Sequence, residues 1–181
     1  ITDLTLVCIS CKIAGITMCK NYSESYGLNY KCFMPSNMYG PRDNYDLNNS
    51  HFFAALVRKI YEAKILNKKT VKIWGSGKVL RELLYVDDFA DALVFFLNKK
   101  FKEPFINIGP GKDYTIDWYT RFIMSHLGVK LKIIYDKSKP DGVPRKLLDV
   151  SLAKKYGWTY KTTLKEGLSK TLIDYKSGYR K

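Results

Sequence analysis

The chain has 181 residues, enough for one domain with a real core, and its 46% hydrophobic and 14% aromatic content excludes disorder as the default state. Its net charge of +14 invites an anionic partner, yet the 31 Lys and Arg are dispersed along the chain, mostly on polar helix faces. A solvated lysine-rich surface is the plainer reading, and neither a nucleic-acid nor a membrane partner is expected.

Residues 1–7 carry no charged leader pattern and read as a strand or loop cut from a longer chain. No apolar run approaches the roughly 18 residues of a transmembrane helix. From 8 to 26 a helical pattern runs without proline, and Gly27 stands where a C-cap glycine belongs. Cys8, Cys11 and Cys19 share that helix and Cys32 follows it, which is no disulfide framework and fits a reducing cytoplasm. The Cys8-x-x-Cys11 pair lacks the second pair or spaced histidines of a metal site, so no metal is expected and buried packing on the helix is the preferred role. A short strand is expected at 29–34, then a loop over 35–49, rich in Pro, Gly, Asn and Asp. Ser50 is the expected cap of a helix whose stripe is Phe53, Leu56, Val57 and Ile60.

Strands follow at 71–74 and 80–85 around a Gly-Ser-Gly turn at 75–77. Asp87 and Asp88 then open a helix, their charges suiting its N-terminal dipole. Its stripe runs through Phe89, Ala92, Leu93, Phe96 and Leu97. A strand at 105–108, a Gly-Pro-Gly turn at 109–111, a helix over about 115–127 and a strand at 131–135 come next. After a turn-rich loop at 136–146, two helices close the chain, the second opened by a Thr163-x-x-Glu166 capping box. Strands alternating with helices mean an α/β fold. The Gly75-Ser-Gly77 and Gly109-Pro-Gly111-Lys112 strings lack phosphate-loop spacing and are turns.

Several side chains carry chemistry only in combination. Lys12 alone reads as a lysine that snorkels to water rather than as a ligand. His51 stands at a helix start, where the positive dipole end favours a neutral imidazole able to trade protons near neutral pH. His126 sits at a helix end and reads as structural or solvated. Trp74 offers either core packing or a flat surface for a base, and Arg81 a fork for phosphate oxygens. Asp141 is a carboxylate held in a Pro/Gly turn, suited to hydrogen-bonding a base or ribose.

Taken together the strings resemble the extended short-chain dehydrogenases/reductases, and among them the GDP-L-fucose synthases. Cys8-Ile-Ser-Cys-Lys12 resembles their Tyr-x-x-x-Lys helix, with Cys8 at the Tyr position. Pro35-Ser-Asn-Met-Tyr-Gly40, Asn49-Ser-His51, Trp74-Gly-Ser-Gly-x-x-x-Arg81-Glu, Tyr85-Val-Asp-Asp88 and Lys139-Pro-Asp141-Gly-Val-Pro-Arg-Lys146 resemble successive motifs of that family. The similarity runs over about residues 8–175. The resemblance implies the C-terminal part of a Rossmann-like parallel sheet plus a small α/β substrate-binding subdomain, within one partial domain over 1–181. Residues 1–49 and about 80–108 would be the remnant of the Rossmann core, and about 50–79 and 109–181 the GDP-sugar part.

It further implies 3,5-epimerisation and then NADPH-dependent 4-reduction of GDP-4-keto-6-deoxy-D-mannose, in a cytoplasmic homodimer. By resemblance His51, Lys12 and Cys8 are catalytic. Lys12, Pro35, Ser36, Asn37, Met38 and His51 contact NADP(H), while Lys59, Trp74, Arg81 and Asp141 grip GDP, and Arg145 and Lys146 support the loop or the phosphates. Trp74, Arg81, Asp141 and His51 are expected around one pocket. The thiol of Cys8 ends several ångströms short of a phenol oxygen, so reduction by this chain should be badly impaired. Without a glycine-rich first strand–turn–helix, the isolated chain should fold poorly. The rival readings are another nucleotide-sugar epimerase or dehydratase, and a non-catalytic nucleotide-binding fragment.

Overall fold

The computed structural model describes residues 3–178, with side chains from residue 10 onward. Helix α1 (Asp3–Tyr26) is followed by strands β1 (Phe33–Pro35) and β2 (Asn37–Tyr39), helix α2 (Phe52–Ile65), strands β3 (Thr70–Trp74) and β4 (Leu80–Tyr85), and helix α3 (Val86–Leu97). Strands β5 (Ile106–Ile108) and β6 (Asp113–Thr115), helix α4 (Ile116–Leu127), strands β7 (Lys132–Asp136) and β8 (Arg145–Lys146), and helices α5 (Ser151–Lys155) and α6 (Leu164–Lys176) complete the order. The alternation makes an α/β fold whose pairings are parallel except for β4 with β6.

One extended run positions the rest. Residues 33–39 pair first with β5, Phe33 opposite Ile106, and then with β4, Asn37 opposite Leu83. Ser36 is the crossing point, its N–H donating to the Ile108 carbonyl at 3.0 Å. The loop expected from residue 35 thus begins only after Tyr39. A three-residue strand has no periodicity of its own to read, and β2 exists because β4 lies beside it. The same holds for β6, which no pattern in the sequence marks and which pairs with β4 through Leu80 and Thr115.

Two further expectations give way at the termini of helices. α1 starts at Asp3 rather than near Cys8, so strand or loop at 3–7 is not observed. His51 rather than Ser50 is the N-cap of α2, and its side chain makes no capping hydrogen bond. By contrast the Thr163–Glu166 capping box is present with both reciprocal bonds.

The apolar faces bury two clusters. The larger joins α2, α4 and α6 to β3 and β4 through Phe53, Val57, Ile60, Ile73, Ile123 and Leu168, all nearly solvent-free. The smaller packs Ala92 and Phe96 of α3 on Ile106, Ile108, Ala153 and Trp158. Of the α3 stripe, Leu93 and Leu97 face outward. No described α1 residue belongs to either cluster, and Ile13 and Met18 are each 59% exposed. Cys11 is exposed as well, which overturns its expected burial: the described residues of the helix pack into neither apolar cluster. Among the described residues no helix is long and apolar enough to cross a membrane.

Glu82 ties the sheet to the segments that follow it. Its carboxylate is fully buried and accepts from the Gly111 N–H at 2.6 Å and the Leu148 N–H at 2.9 Å. Burial pushes its pKa up and those two bonds pull it down, with Asp113 adding a smaller upward push.

Candidate functional site

The parallel run 33–39 ends against α2 and β4, and the space off its carboxyl end is where open α/β sheets bind ligands. A cavity of about 710 Å³ opens there. Lys12, Pro35, Ser36, Asn37, Met38 and His51 all line it, so the chain brings together every residue expected at the cofactor from three separate places: α1, the 35–38 segment that runs into β2, and the α2 cap. Asn37 is oriented by its amide, which donates to the Glu82 carbonyl at 3.1 Å. The Ser36 hydroxyl is buried and has no hydrogen-bond partner among the described residues. Such an atom in the wall of a cavity is one that a polar ligand satisfies. The side chain of Cys8 lies outside the described residues.

Two carboxyl groups to which the motifs gave no role also line this cavity: Glu82, the last residue of the Trp74–Glu82 string, and Asp43. Burial pushes the Asp43 carboxyl up, while the Asn44 N–H and the nearby His51 pull it down. Asp43 sits in an irregular loop, where nothing in the local pattern marks it. Lys146 reaches the same cavity. Arg145 instead pairs with Asp113 at 2.6 Å and supports the loop.

A second cavity, about 190 Å³, lies between α2, β3, β4 and the 140–141 turn, and Lys59, Trp74, Arg81 and Asp141 line it together. Trp74 is 50% exposed, so it is not a core residue. The ammonium groups of Lys59 and Lys139 each lie 5.3 Å from its ring centroid, within cation–π range. Burial lowers the Lys59 pKa, with Asp136 opposing and Lys72 adding to the effect. The Asp141 carboxylate accepts from the Ser76 N–H at 2.6 Å, a bond that heads the causes holding its pKa below the usual range, with Arg81 and Lys78 assisting. Gly75, at φ +72°, leaves the space that this carboxylate fills.

His51 does not line this second cavity, which corrects the expectation of one shared pocket. The two cavities adjoin along the chain, for Ser50 lines the smaller and His51 the larger, as do Arg81 and Glu82. His126 lies on neither; it sits 3.2 Å from the Ser169 hydroxyl, half-buried, its pKa lowered by burial and by Lys165 and Lys176. Among the described residues no cluster of three His, Cys, Asp or Glu could hold a metal.

A family model described as the NAD dependent epimerase/dehydratase family matches residues 7–109. The GDP-L-fucose synthase of Sinorhizobium fredii is 45% identical over 166 residues, covering 92% of this chain and 53% of that protein. The probable GDP-L-fucose synthase 1 of Oryza sativa is 44% identical over 88% of this chain and 49% of its own length. Among solved structures, the GDP-mannoheptose C4 reductase from Campylobacter jejuni with NADP bound gives a TM-score of 0.80 at 28% identity, over 92% of this chain and 59% of that one. The chain therefore spans about half the length of the curated relatives it matches.

Proposed function

The chain belongs to the NAD dependent epimerase/dehydratase family, and from that premise we propose that it carries the sugar-nucleotide half of a GDP-L-fucose synthase. Its substrate is GDP-4-keto-6-deoxy-D-mannose, epimerised at C3 and C5 and then reduced at C4. The observation that carries this reading is the pair of adjoining cavities, one gathering Lys12, Asn37 and His51 and the other Lys59, Trp74, Arg81 and Asp141. The names of the relatives supply the base and sugar; the cavities supply side chains of the right chemistry.

In this reading the smaller cavity takes the guanosine diphosphate, with Trp74 as a flat apolar surface and Asp141 beside the base. The sugar then extends past the Ser50–His51 step into the larger cavity. A base removes the acidic proton next to the ketone to leave an enolate, and His51 hands a proton to the opposite face of that carbon. Asp43 nearby steadies the charge that His51 acquires or gives up. Lys12, Ser36, Asn37 and Met38 fit the nicotinamide end of NADP(H), with the unpartnered Ser36 hydroxyl as the donor awaiting it. When bound, that cofactor supplies the hydride for C4. Lys12 orients it and the proton donor, a position that Cys8 holds in this chain.

The exposed Ile13, Met18 and Tyr22 of α1 support the homodimer implied by the family. The free thiols of Cys11, Cys19 and Cys32 support a reducing, cytoplasmic setting.

The test separates the two half-reactions. Incubation with the GDP-keto sugar in D₂O should place deuterium at C3 and C5, and His51→Gln should slow this by about 10²–10⁴-fold, the usual contribution of a general acid or base. NADPH oxidation should be slow and rise in Cys8→Tyr. Turnover of UDP-glucose without turnover of the GDP-keto sugar overturns the assignment. Cys8 favours a second reading, a nucleotide-binding chain without catalysis; GDP binding with no exchange and no gain in Cys8→Tyr would establish it.

A further inference from the structure

The loop between β2 and α2 delivers Asp43 and His51 to the larger cavity with no strand or helix of its own to hold them. Its hydrogen bonds fold it back on itself instead. The Asp46 carbonyl accepts from the N–H groups of Asn49 at 3.1 Å and Ser50 at 2.7 Å. The Asp46 carboxylate accepts from the Asn48 N–H at 3.0 Å and the Asn49 side-chain amide at 3.1 Å, and the Asn44 side chain accepts from the Asp46 N–H at 2.9 Å. These Asx-type turns bend the segment so that positions 43 and 51 open on one space.

Two anchors fix the folded loop to the rest of the molecule. Tyr45 is fully buried, its ring centroid 4.6 Å from that of Tyr175 in α6, and its carbonyl accepts from Arg58 Nη1 of α2 at 2.9 Å. The other anchor is the Asp174 carboxylate of α6, which accepts from the Arg42 N–H at 2.7 Å. Arg42 has φ +62°, a left-handed conformation that residues with a Cβ rarely adopt and glycine adopts freely. It immediately precedes Asp43, so the turn at Arg42 sets the direction in which the Asp43 carboxyl leaves the chain.

Asp174 is electrostatically misplaced as a helix residue. It lies in the last turn of α6, where the negative end of the helix dipole disfavours a carboxylate. The bond to Arg42 offsets that cost and holds the left-handed turn. Given the reading of His51 as the acid in epimerisation, on which the role rests, we infer that Asp174 is a positioning residue for the larger cavity. It pins the Arg42 turn and thereby fixes Asp43 and His51 relative to the sugar. Among the described residues α6 contributes no side chain to the lining of that cavity, so it acts only through the loop.

Four proteins test this: wild type, Asp174→Ala, Arg42→Gly and the two substitutions combined. Amide hydrogen exchange, measured without substrate, should be about tenfold faster at Asn49 and Ser50 in Asp174→Ala, the scale of one hydrogen bond to a charged group. It should return toward the wild-type rate in the double variant, because glycine keeps the turn without the clamp. With the GDP-keto sugar, Asp174→Ala should lower kcat for deuterium incorporation about 10–10²-fold with KM nearly unchanged, as a misplacement on the order of 1 Å does, and adding Arg42→Gly should restore it. A role in bulk stability alone predicts no rescue by glycine. The inference is overturned if Asp174→Ala leaves both amides as protected as in wild type, if the double variant stays as fast as Asp174→Ala, or if the amides respond while kcat does not. Asp174→Asn, which keeps a neutral acceptor, takes the place of Asp174→Ala in every arm should that variant not fold. A wild type that incorporates no deuterium at C3 or C5 overturns the epimerase reading, while the amide measurements, which need no substrate, still decide whether Asp174 holds the loop.

Discussion

Single side chains in this protein do different work from what their type suggests, because each is defined by what it touches. Lys59 is a case: burial lowers its pKa, so its ammonium loses the proton at a pH below that of an ordinary lysine, where the usual value is 10.5. An anionic ligand binds only the charged form. GDP affinity should therefore decline with rising pH in a window that starts below 10.5, and Lys59→Gln should make that decline shallower and shift its onset to higher pH; a pH series of GDP titrations checks both. The cysteines divide in the same manner. Cys32 is half-buried beside Cys19, and burial, then the hydrogen bond to Cys19, push its thiol up to about 11. Cys11 is exposed. A maleimide or iodoacetamide pulse near pH 8, read by peptide mass spectrometry, should label Cys11 well before Cys32.

At the scale of elements, the legible sequence signals are those that neighbours along the chain can enforce. The Thr163 hydroxyl accepts from the Glu166 N–H at 3.3 Å while the Glu166 carboxylate accepts from the Thr163 N–H at 2.9 Å, a closed local circuit readable from spacing alone. Thr163→Ala should cost about 1 kcal/mol in urea denaturation, the typical worth of an N-cap. The stripes of α2 and α6 are legible for the same reason, since Phe53, Val57 and Ile60, or Leu168 and Leu172, fall on one face at helical period. Ser50 is a sound cap candidate by type, yet its hydroxyl is buried without a partner at the edge of the smaller cavity, and the chain enters the helix one residue later. Strands β2 and β6 are invisible in the sequence because three residues carry no pattern, and their hydrogen bonds come from β4, more than 30 residues away along the chain.

Across the whole molecule Glu82 joins pieces that the chain separates widely. Glu82→Ala would remove the charged acceptor of the half-buried Gly111 and Leu148 N–H groups, so a loss of about 1–3 kcal/mol is expected. Glu82→Gln, which keeps one good acceptor, should fall between that variant and wild type in the same denaturation assay. Stability should also be uneven. α2 and α4 sit in the larger cluster, whereas the described residues of α1 belong to neither cluster, so amide hydrogen exchange should be faster along α1 than along α2.

By itself the sequence determined the α/β class, most helices and long strands, the family resemblance, and a set of candidate side chains that fold into the linings of two adjoining cavities. These follow from periodicity, turn residues and motif spacing, all local in the chain. Only the tertiary structure decided that His51 opens on a different cavity from Trp74, that Arg81 is engaged by loop carbonyls, and that Glu82 and Asp43 line the larger cavity. Each of those outcomes depends on partners brought together by folding: the Arg81 guanidinium meets Asp141 and Val143 some 60 residues further on. No window along the chain contains both halves of such a contact.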